Sequence, residues 1–195
     1  MEYNSMTYEE LLIELENKEK RINQLTEEVR QLESIANTDF MTGVLSRRCG
    51  LNKLKESMEK SIKNKENLIV CFIDIDKLKI INDSFGHDEG DKLLKIVTDI
   101  IEKSVRKKDY IFRMGGDEFI LVFTDTNMDE VDVICNDIDK RINYINKKRL
   151  LKFGISVSKG LAKFDFNKNT TLEELVKQAD REMYKDKLKN YTDGL

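Results

Sequence analysis

Two pairs of acidic residues near the middle of the chain have the chemistry of a metal site. Asp74 and Asp76 follow a continuous apolar run, and Asp117 and Glu118 follow two glycines. Carboxylate oxygens are hard ligands, and Mg²⁺ usually takes one or two of them and leaves its other positions to water and phosphate. A metal held in this way can bind a triphosphate and lower the pKa of a hydroxyl group. The residue types therefore indicate metal-assisted phosphoryl transfer, provided that the two pairs meet in space.

The sequence around both pairs predicts β-strands that end at these acids. The apolar run over 68–73 is typical of a buried central strand, and the runs on either side of Gly115, Gly116 and Asp117 predict a hairpin. If the strands are neighbours, the carboxylates converge at one edge of the sheet. The glycines permit φ > 0 and a close approach of a ligand to the backbone. Ordinary tight turns carry the same residues, so the hairpin alone is a weak functional signal.

Asp76 has a structural explanation as well as a functional one. It immediately precedes a short helix expected through 80–81, where a carboxylate would cap the N-terminus. We therefore favour capping for Asp76 and metal binding for Asp74.

The rest of the chain alternates between helical and extended patterns. Longer helices are expected over 46–62, 88–103, 128–145 and 172–187, and a further strand is expected over 153–162. Helices that alternate with strands, together with one clear hairpin, predict an α+β fold with a central mixed or antiparallel sheet flanked by helices.

A long N-terminal helix is expected before this domain. The segment from Tyr8 to Ala36 contains neither Gly nor Pro, and its apolar residues alternate between spacings of four and three, interrupted only at Lys18. The series comprises Leu11, Leu15, Ile22, Leu25, Val29, Leu32 and Ala36. Such a narrow seam suits packing on the chain's own domain or a parallel two-stranded coiled coil, and we favour the coiled coil. We divide the chain into a dimerisation or signalling segment, 1–37, and a domain that carries the chemistry, 38–195.

Composition and charge argue against several classes of protein. Charged residues make up 36% of the chain, but the net charge is only −3, so no bulk surface for DNA, RNA or an anionic membrane is expected. No apolar run approaches the ~18 residues of a membrane span. The three cysteines, Cys49, Cys71 and Cys135, have no CxxC spacing and are expected to be buried free thiols in a reducing, cytoplasmic compartment.

Four segments, taken together and in order, resemble the motifs of the GGDEF-domain diguanylate cyclases. The signature hairpin is present as RMGGDEF over 113–119. The other segments are DFMTGVLSRR over 39–48, FIDIDKLKIINDSFGHDEGD over 72–91 and ADREMYKDK over 179–187. The resemblance covers about residues 38–189. It implies a bacterial enzyme with a nucleotidyl-cyclase, or palm-like, fold that condenses two GTP into cyclic di-GMP and two pyrophosphates.

The resemblance assigns roles to the two acidic pairs. It implies that Mg²⁺ or Mn²⁺ is held by Asp74, the backbone carbonyl of Ile75, Asp117 and Glu118. Asp117 would also be the base for the attacking 3′-hydroxyl, with Glu118 as its neighbour in catalysis.

The resemblance also identifies residues that would hold GTP. Asn82 and Asp91 would read the guanine edge, which fits because a carboxylate can accept from guanine N–H donors, whereas adenine offers no such donor pair. Lys79 and Lys187 would neutralise phosphate oxygens. The chain departs from the family pattern at Tyr191, where members have an arginine that also holds phosphate, and at Lys159, where they have an apolar residue.

A product-binding site is expected just before the signature hairpin. Arg106 and Asp109 lie at the distance from Gly115 at which family members place an inhibitory motif, and Arg113 lies on the strand that follows them. An arginine fork can hold phosphate and guanine while the aspartate accepts guanine N–H donors. The simpler interpretation is a cation at a helix C-terminus, where its charge is favourable. We favour product inhibition.

The implied reaction requires two chains. Two GTP molecules lie antiparallel, each 3′-hydroxyl attacks the α-phosphate of the other, and one domain resembles half of that site, so a homodimer is expected. The alternative is a catalytically weak domain that binds GTP or cyclic di-GMP as a regulatory module. Tyr191 favours the alternative, whereas the intact Asp117 and Glu118 favour the cyclase.

Overall fold

The computed structural model of the protein describes residues 7–192, and it describes side chains over 7–29 and 37–190. The elements are α1 (Tyr8–Asn37), α2 (Arg47–Asn64), β1 (Leu68–Ile75), α3 (Leu78–Phe85), α4 (His87–Ser104), β2 (Tyr110–Arg113), β3 (Glu118–Thr124), α5 (Met128–Lys148), β4 (Val157–Lys163) and α6 (Leu172–Thr192). Every expected element is present. The clearest difference is that β4 begins at Val157 rather than at Phe153.

The strands form one sheet in the order β2-β3-β1-β4, and each neighbouring pair is antiparallel. The central strand β1 is buried along its whole length. Side chains alternate across a strand, so its odd-numbered residues pack towards α4 and α5, and its even-numbered residues pack towards α2 and α6. This burial on both faces explains its continuous apolar sequence. The predicted α+β fold is confirmed, and its sheet is antiparallel.

Helix α6 lies unusually close to the edge strand β4. A Cβ atom added to Gly160 would lie 1.9 Å from the backbone nitrogen of Met183 and 2.2 Å from the backbone oxygen of Ala179. Neither backbone atom can move aside easily, so this contact requires a glycine. It fixes the position of α6 along the sheet, and therefore the position of the residues that follow Met183.

Helix α1 belongs to a compact unit that ends at Asn37, and the remaining elements form a second unit from Thr38 onwards. The apolar series on α1 is exposed, from 39% at Leu11 to 62% at Ile22. The side chains of Leu32, Ala36 and Tyr191 lie outside the described residues. The coiled coil remains a prediction. Within the described part of the chain, no helix has both the length and the apolar composition needed to cross a bilayer.

Candidate active site

The two acidic pairs meet at one end of the sheet. Asp74 is the cross-strand partner of Glu118, and the backbone N–H of Ile75 donates to the carbonyl oxygen of Asp117 at 3.0 Å. Carboxylates placed directly opposite each other destabilise an antiparallel pair. Burial raises the pKa of both Asp74 and Glu118, and the charge of Asp117 raises each of them further. This end of the sheet therefore concentrates negative charge that a cation would relieve.

Lys187 brings a positive charge to these acids. Its Nζ donates to Oδ1 of Asp74 at 2.7 Å. Burial alone would lower the pKa of Lys187, but the hydrogen bond and the charge of Asp74 outweigh it and raise that pKa. Lys187 lies one helical turn after Met183, so the close contact at Gly160 holds it at the end of β1. The ammonium group shows that this carboxylate oxygen is accessible to a cation.

The acids suit an ion that keeps water and phosphate among its ligands. In the part of the chain that the structure describes, no three His, Cys, Asp or Glu side chains are grouped so as to enclose a metal ion. Mg²⁺ needs no such cage, since one or two carboxylates and the phosphates of a substrate complete its shell. Asp74, Asp117 and the carbonyl oxygen of Ile75 offer such a partial set, with Glu118 beside them.

Arg113 braces the hairpin that carries Asp117. Its Nε donates to the carbonyl oxygen of Gly115 at 2.9 Å, and its Nη2 donates to that of Gly116 at 2.6 Å. Its Nη1 donates to the two carboxylate oxygens of Asp39 at 3.0 and 3.2 Å. No individual role is predicted for Asp39 from the sequence, because no local pattern joins residues that lie 74 positions apart.

The hairpin glycines provide space rather than an unusual backbone conformation. Among the described residues the glycines with positive φ are Gly43 and Gly86, so Gly115 and Gly116 do not use the freedom expected of them. A Cβ atom at Gly115 would lie 2.8 Å from Oε2 of Glu118. The missing side chain at Gly115 therefore lets the Glu118 carboxylate lie against the turn.

Asp76 is a structural carboxylate, and the prediction that it caps α3 is wrong. The N-cap residue of α3 is Lys77, which has a left-handed backbone and no side-chain capping bond. Asp76 instead accepts hydrogen bonds from the hydroxyls of Ser156 at 2.5 Å and Ser158 at 2.8 Å. It is 5% exposed, so these bonds satisfy its buried oxygens. The serines lie 80 or more positions later, where local sequence reasoning could not find them.

Asn82 presents a buried acceptor that has no protein donor. Among the described residues, its Oδ1 is the buried side-chain polar atom without a hydrogen-bond partner. The atom lies against Gly90, where an added Cβ would be 1.9 Å away. Leaving a buried acceptor unpaired costs about 1–3 kcal/mol, which a donor on a ligand would recover. Lys79 on α3 and Asp91 on α4 are both exposed.

Arg106 and Asp109 are hydrogen-bonded to each other just before β2 begins, at the end of the strand away from the hairpin. Nε and Nη2 of Arg106 donate to the carboxylate of Asp109 at 2.8 and 2.9 Å, and Nη1 donates to Glu130 at 3.2 Å. The Asp109 side chain is 0% exposed. Arg113 lies four positions after Asp109 on an extended strand, which places it about 13 Å from Asp109 along the chain. The three residues predicted for a product site therefore lie in two separate places.

Known proteins resemble this chain over most of its length. A family model described as "Diguanylate cyclase, GGDEF domain" matches residues 36–192. The chain is 32% identical over 150 residues to the probable diguanylate cyclase DgcJ of Escherichia coli (strain K12), covering 77% of this chain and 29% of that protein. It is 33% identical over 163 residues to the diguanylate cyclase DosC of the same strain, covering 84% of this chain and 35% of that protein. The chain thus spans about a third of the length of these curated relatives.

A solved structure shares the fold. The structure of the coiled coil and GGDEF domain of DgcB from Caulobacter crescentus, in complex with c-di-GMP, has a TM-score of 0.81 with this chain. The match covers 91% of this chain and 94% of that one at 23% identity. At this identity the likeness shows the fold alone.

Proposed function

The chain belongs to the GGDEF-domain family of diguanylate cyclases, and on that premise we propose that it condenses two GTP into cyclic di-GMP and two pyrophosphates. The observation that carries the proposal is the meeting of Asp74, Asp117 and Glu118 at one end of the sheet. Repulsion between these acids destabilises the fold. A divalent ion, Mg²⁺ or Mn²⁺, would remove that repulsion, so the acids have a functional reason to be together.

Each of the acids would have its own role in the reaction. Asp74, Asp117 and the carbonyl oxygen of Ile75 would hold the ion, which when bound polarises phosphate oxygens and favours ionisation of the attacking hydroxyl. Asp117 would also accept the proton of the 3′-hydroxyl. Glu118 would act beside it at the ion.

Guanine recognition would use the unpaired oxygen of Asn82. Guanine presents N–H donors on its Watson–Crick edge, so Oδ1 of Asn82 would gain the partner that the protein does not supply. Asp91 would accept from the same edge of the base. Together they would favour GTP over ATP.

Lys187 would move from a carboxylate to a phosphate when the substrate binds. In the structure its Nζ is bonded to Asp74. With Asp74 engaged in holding the ion, the ammonium group of Lys187 would be released to neutralise phosphate oxygens together with Lys79. We expect Lys187→Met to raise KM for GTP by about tenfold, the equivalent of one charged hydrogen bond. Lys185→Met, an exposed lysine on the same helix, should leave KM unchanged.

The decisive experiment is incubation of the full chain with GTP and Mg²⁺, followed by chromatography for a cyclic dinucleotide and pyrophosphate. Asp117→Asn should abolish product without unfolding the domain. Asp129→Asn, an exposed acid at the start of α5, is the matched control and should retain activity. Equal product from the wild type and from Asp117→Asn would refute the assignment.

The reaction would take place in a homodimer, because each chain offers one half-site. The exposed apolar series on α1 supports dimerisation through that helix. Specific activity should therefore fall on dilution. In a chain that lacks residues 1–36, this fall should begin at a higher protein concentration. Activity per chain that is independent of dilution in both proteins would argue against this assembly.

The alternative is a domain that binds GTP or cyclic di-GMP without turnover. One observation favours it: Lys187 already neutralises Asp74 and so competes with a metal ion. Isothermal titration with GTP distinguishes the two functions. Binding without any cyclic product, at saturating Mg²⁺ or Mn²⁺, would establish the binding module and exclude the cyclase.

We also propose product inhibition through Arg106 and Asp109. The guanidinium and the carboxylate are preformed as a bonded pair, and Asp109 is held further by the backbone N–H of Thr124 at 3.2 Å. Cyclic di-GMP would have to open the pair to contact both groups. Initial rates with added product should fall in the wild type but not in Arg106→Ala. Rates that fall equally in both would show that the product acts elsewhere, for instance at the catalytic site.

A further inference from the structure

Two thiols and an ion pair lie together on the face of the sheet opposite Asp74. Cys71 points from β1 to the face on which α5 packs, Cys135 of α5 packs against the same core cluster, and each thiol shifts the pKa of the other. Asp139, one turn after Cys135, forms an ion pair with Lys159 of β4. All three cysteines are free thiols, but the expectation that they are buried holds for Cys71 alone, since Cys49 and Cys135 are only partly buried. The proposed cyclase site uses none of these four residues.

Lys159 is held beside Cys135 by contacts with two helices, α5 and α6. Its Nζ lies 3.5 Å from the carbonyl oxygen of Cys135 and contacts the Asp139 carboxylate. Its backbone N–H donates to Oδ2 of Asp186 on α6 at 3.0 Å. The side chain is only 14% exposed. A cation fixed next to a thiol favours the thiolate, which is the reactive form of cysteine.

Cys135 is accessible from outside the protein, whereas Cys71 is not. A groove of about 670 Å³ is lined by Cys135, Asp139 and Lys159 on one side and by α6 residues such as Leu188 on the other. Cys71 is 0% exposed. A small oxidant that enters this groove therefore reaches Cys135 before it reaches Cys71.

We propose that Cys135 is an oxidation site for hydrogen peroxide and that Cys71 resolves the oxidised cysteine as a disulfide. The Cys135 thiolate attacks one peroxide oxygen; an S–O bond forms, the O–O bond breaks, and hydroxide leaves, which yields a sulfenic acid. The sulfur of Cys71 then attacks the sulfur of Cys135; the S–S bond forms, and the hydroxyl group leaves as water with the proton of Cys71. In sum, two thiols and one peroxide give one disulfide and two waters.

The surroundings assign the two roles. A hydrogen bond from Cys71 lowers the pKa of Cys135, and the charge of Lys159 lowers it further against the opposing effect of burial. The same hydrogen bond, together with complete burial, raises the pKa of Cys71. Cys135 is therefore the thiol that reacts with peroxide, and Cys71 remains protonated until the sulfenic acid is present.

The test is peptide mapping of the full chain after brief treatment with hydrogen peroxide, alkylation of free thiols and digestion without reductant. We expect a peptide linked through Cys71 and Cys135 that dithiothreitol separates. Cys49 on α2, which lies on the other face of the sheet, serves as the internal control and should be recovered as the alkylated thiol. The result does not depend on cyclase activity, so it stands or falls separately from the proposed function.

Variants separate the two steps. In Cys71→Ala the sulfenic acid should persist and be captured by dimedone at Cys135, whereas Cys135→Ala should show neither capture nor linkage. Lys159→Met should slow oxidation of Cys135 at least threefold, and Lys185→Met, on the far rim of the same groove, should not. The proposal is overturned if the wild type yields no linked peptide, or if Cys49 oxidises as fast as Cys135.

Discussion

The end of β1 contains two acidic regions that differ in how their charge is satisfied. Asp74 and Asp76 lie two positions apart and are 6% and 5% exposed. Around Asp76 two serine hydroxyls donate to the carboxylate. Around Asp74 the carboxylates of Asp117 and Glu118 add negative charge, and the hydrogen bond comes from Lys187 on α6. Burial alone therefore does not distinguish the two acids, whereas the partners that the fold supplies to each carboxylate do.

This difference has an energetic meaning. A carboxylate with hydroxyl donors on its oxygens stabilises the fold and has little left to offer a ligand. A carboxylate that lies opposite another carboxylate destabilises the fold until a cation binds. The free energy of cation binding therefore includes relief of the repulsion. The two regions should respond in opposite ways to substitution.

The largest effect is expected at Gly160, on which the Asp74 region depends through α6. Gly160→Ala places a Cβ within 1.9 Å of the Met183 backbone and forces α6 away from β4. We expect a loss of about 3 kcal/mol or more in the free energy of unfolding, at the upper end for overpacked sites. Urea denaturation measures it. Gly116→Ala, where an added Cβ meets no atom within 4 Å, is the control. Equal stability of both variants would show that α6 does not depend on this contact.

The second effect is on activity at Asp74. Asp74→Asn keeps the shape of the side chain but removes a proposed metal ligand and part of the repulsion with Glu118. We expect turnover to fall by more than about 100-fold, beyond the 10–100-fold typical of residues that merely support a ligand. The free energy of unfolding should stay the same or rise slightly. Product assays and denaturation on one preparation test both statements, and a loss of stability that matches the loss of turnover would contradict them.

The third effect is on stability at Asp76. Asp76→Ala leaves the hydroxyls of Ser156 and Ser158 without their acceptor, so we expect a loss of about 1–3 kcal/mol in the free energy of unfolding. Turnover per folded molecule should change only a few-fold. A loss of activity as large as that of Asp74→Asn, in a variant that remains folded, would place Asp76 in the site and remove the distinction between the two acids.

The smallest effect concerns Asp39, a second carboxylate whose charge is satisfied by the fold. Burial would raise the pKa of Asp39, but the hydrogen bonds from Thr42 and the charge of Arg113 outweigh it, so its pKa is lowered in the folded state. Its contribution is therefore present above the unfolded pKa of about 4 and is lost as the pH falls through the lower folded value. After allowance for solvent screening it is about 1 kcal/mol or less.

Denaturation of the wild type and of Asp39→Asn at several pH values measures this contribution. The difference in the free energy of unfolding should be constant near neutral pH and should shrink in acid. A difference that grows as the pH falls would reverse the assigned sign.

Most of the fold was predictable because its signals are local. The apolar run of β1, the paired runs around the hairpin and the helical periodicities each lie within about 20 neighbouring residues, where pattern and propensity act directly. The boundary of β4 was less accurate, because Phe153 and Ile155 are apolar but belong to the approach to the strand. The acid positions were predictable as well, since each lies at or next to the end of a recognisable strand.

The motif-bearing acids, the approximate limits of the elements and the family resemblance follow from the sequence by itself, because residue type and spacing along the chain carry them. Tertiary structure alone decided that Asp76 is satisfied by Ser156 and Ser158, that Arg113 joins Asp39 to the hairpin, and that Lys187 reaches Asp74. Each of these contacts joins residues that are 70 or more positions apart. Their geometry depends on how strands and helices pack, for example on the close approach of α6 at Gly160, and no local pattern encodes it.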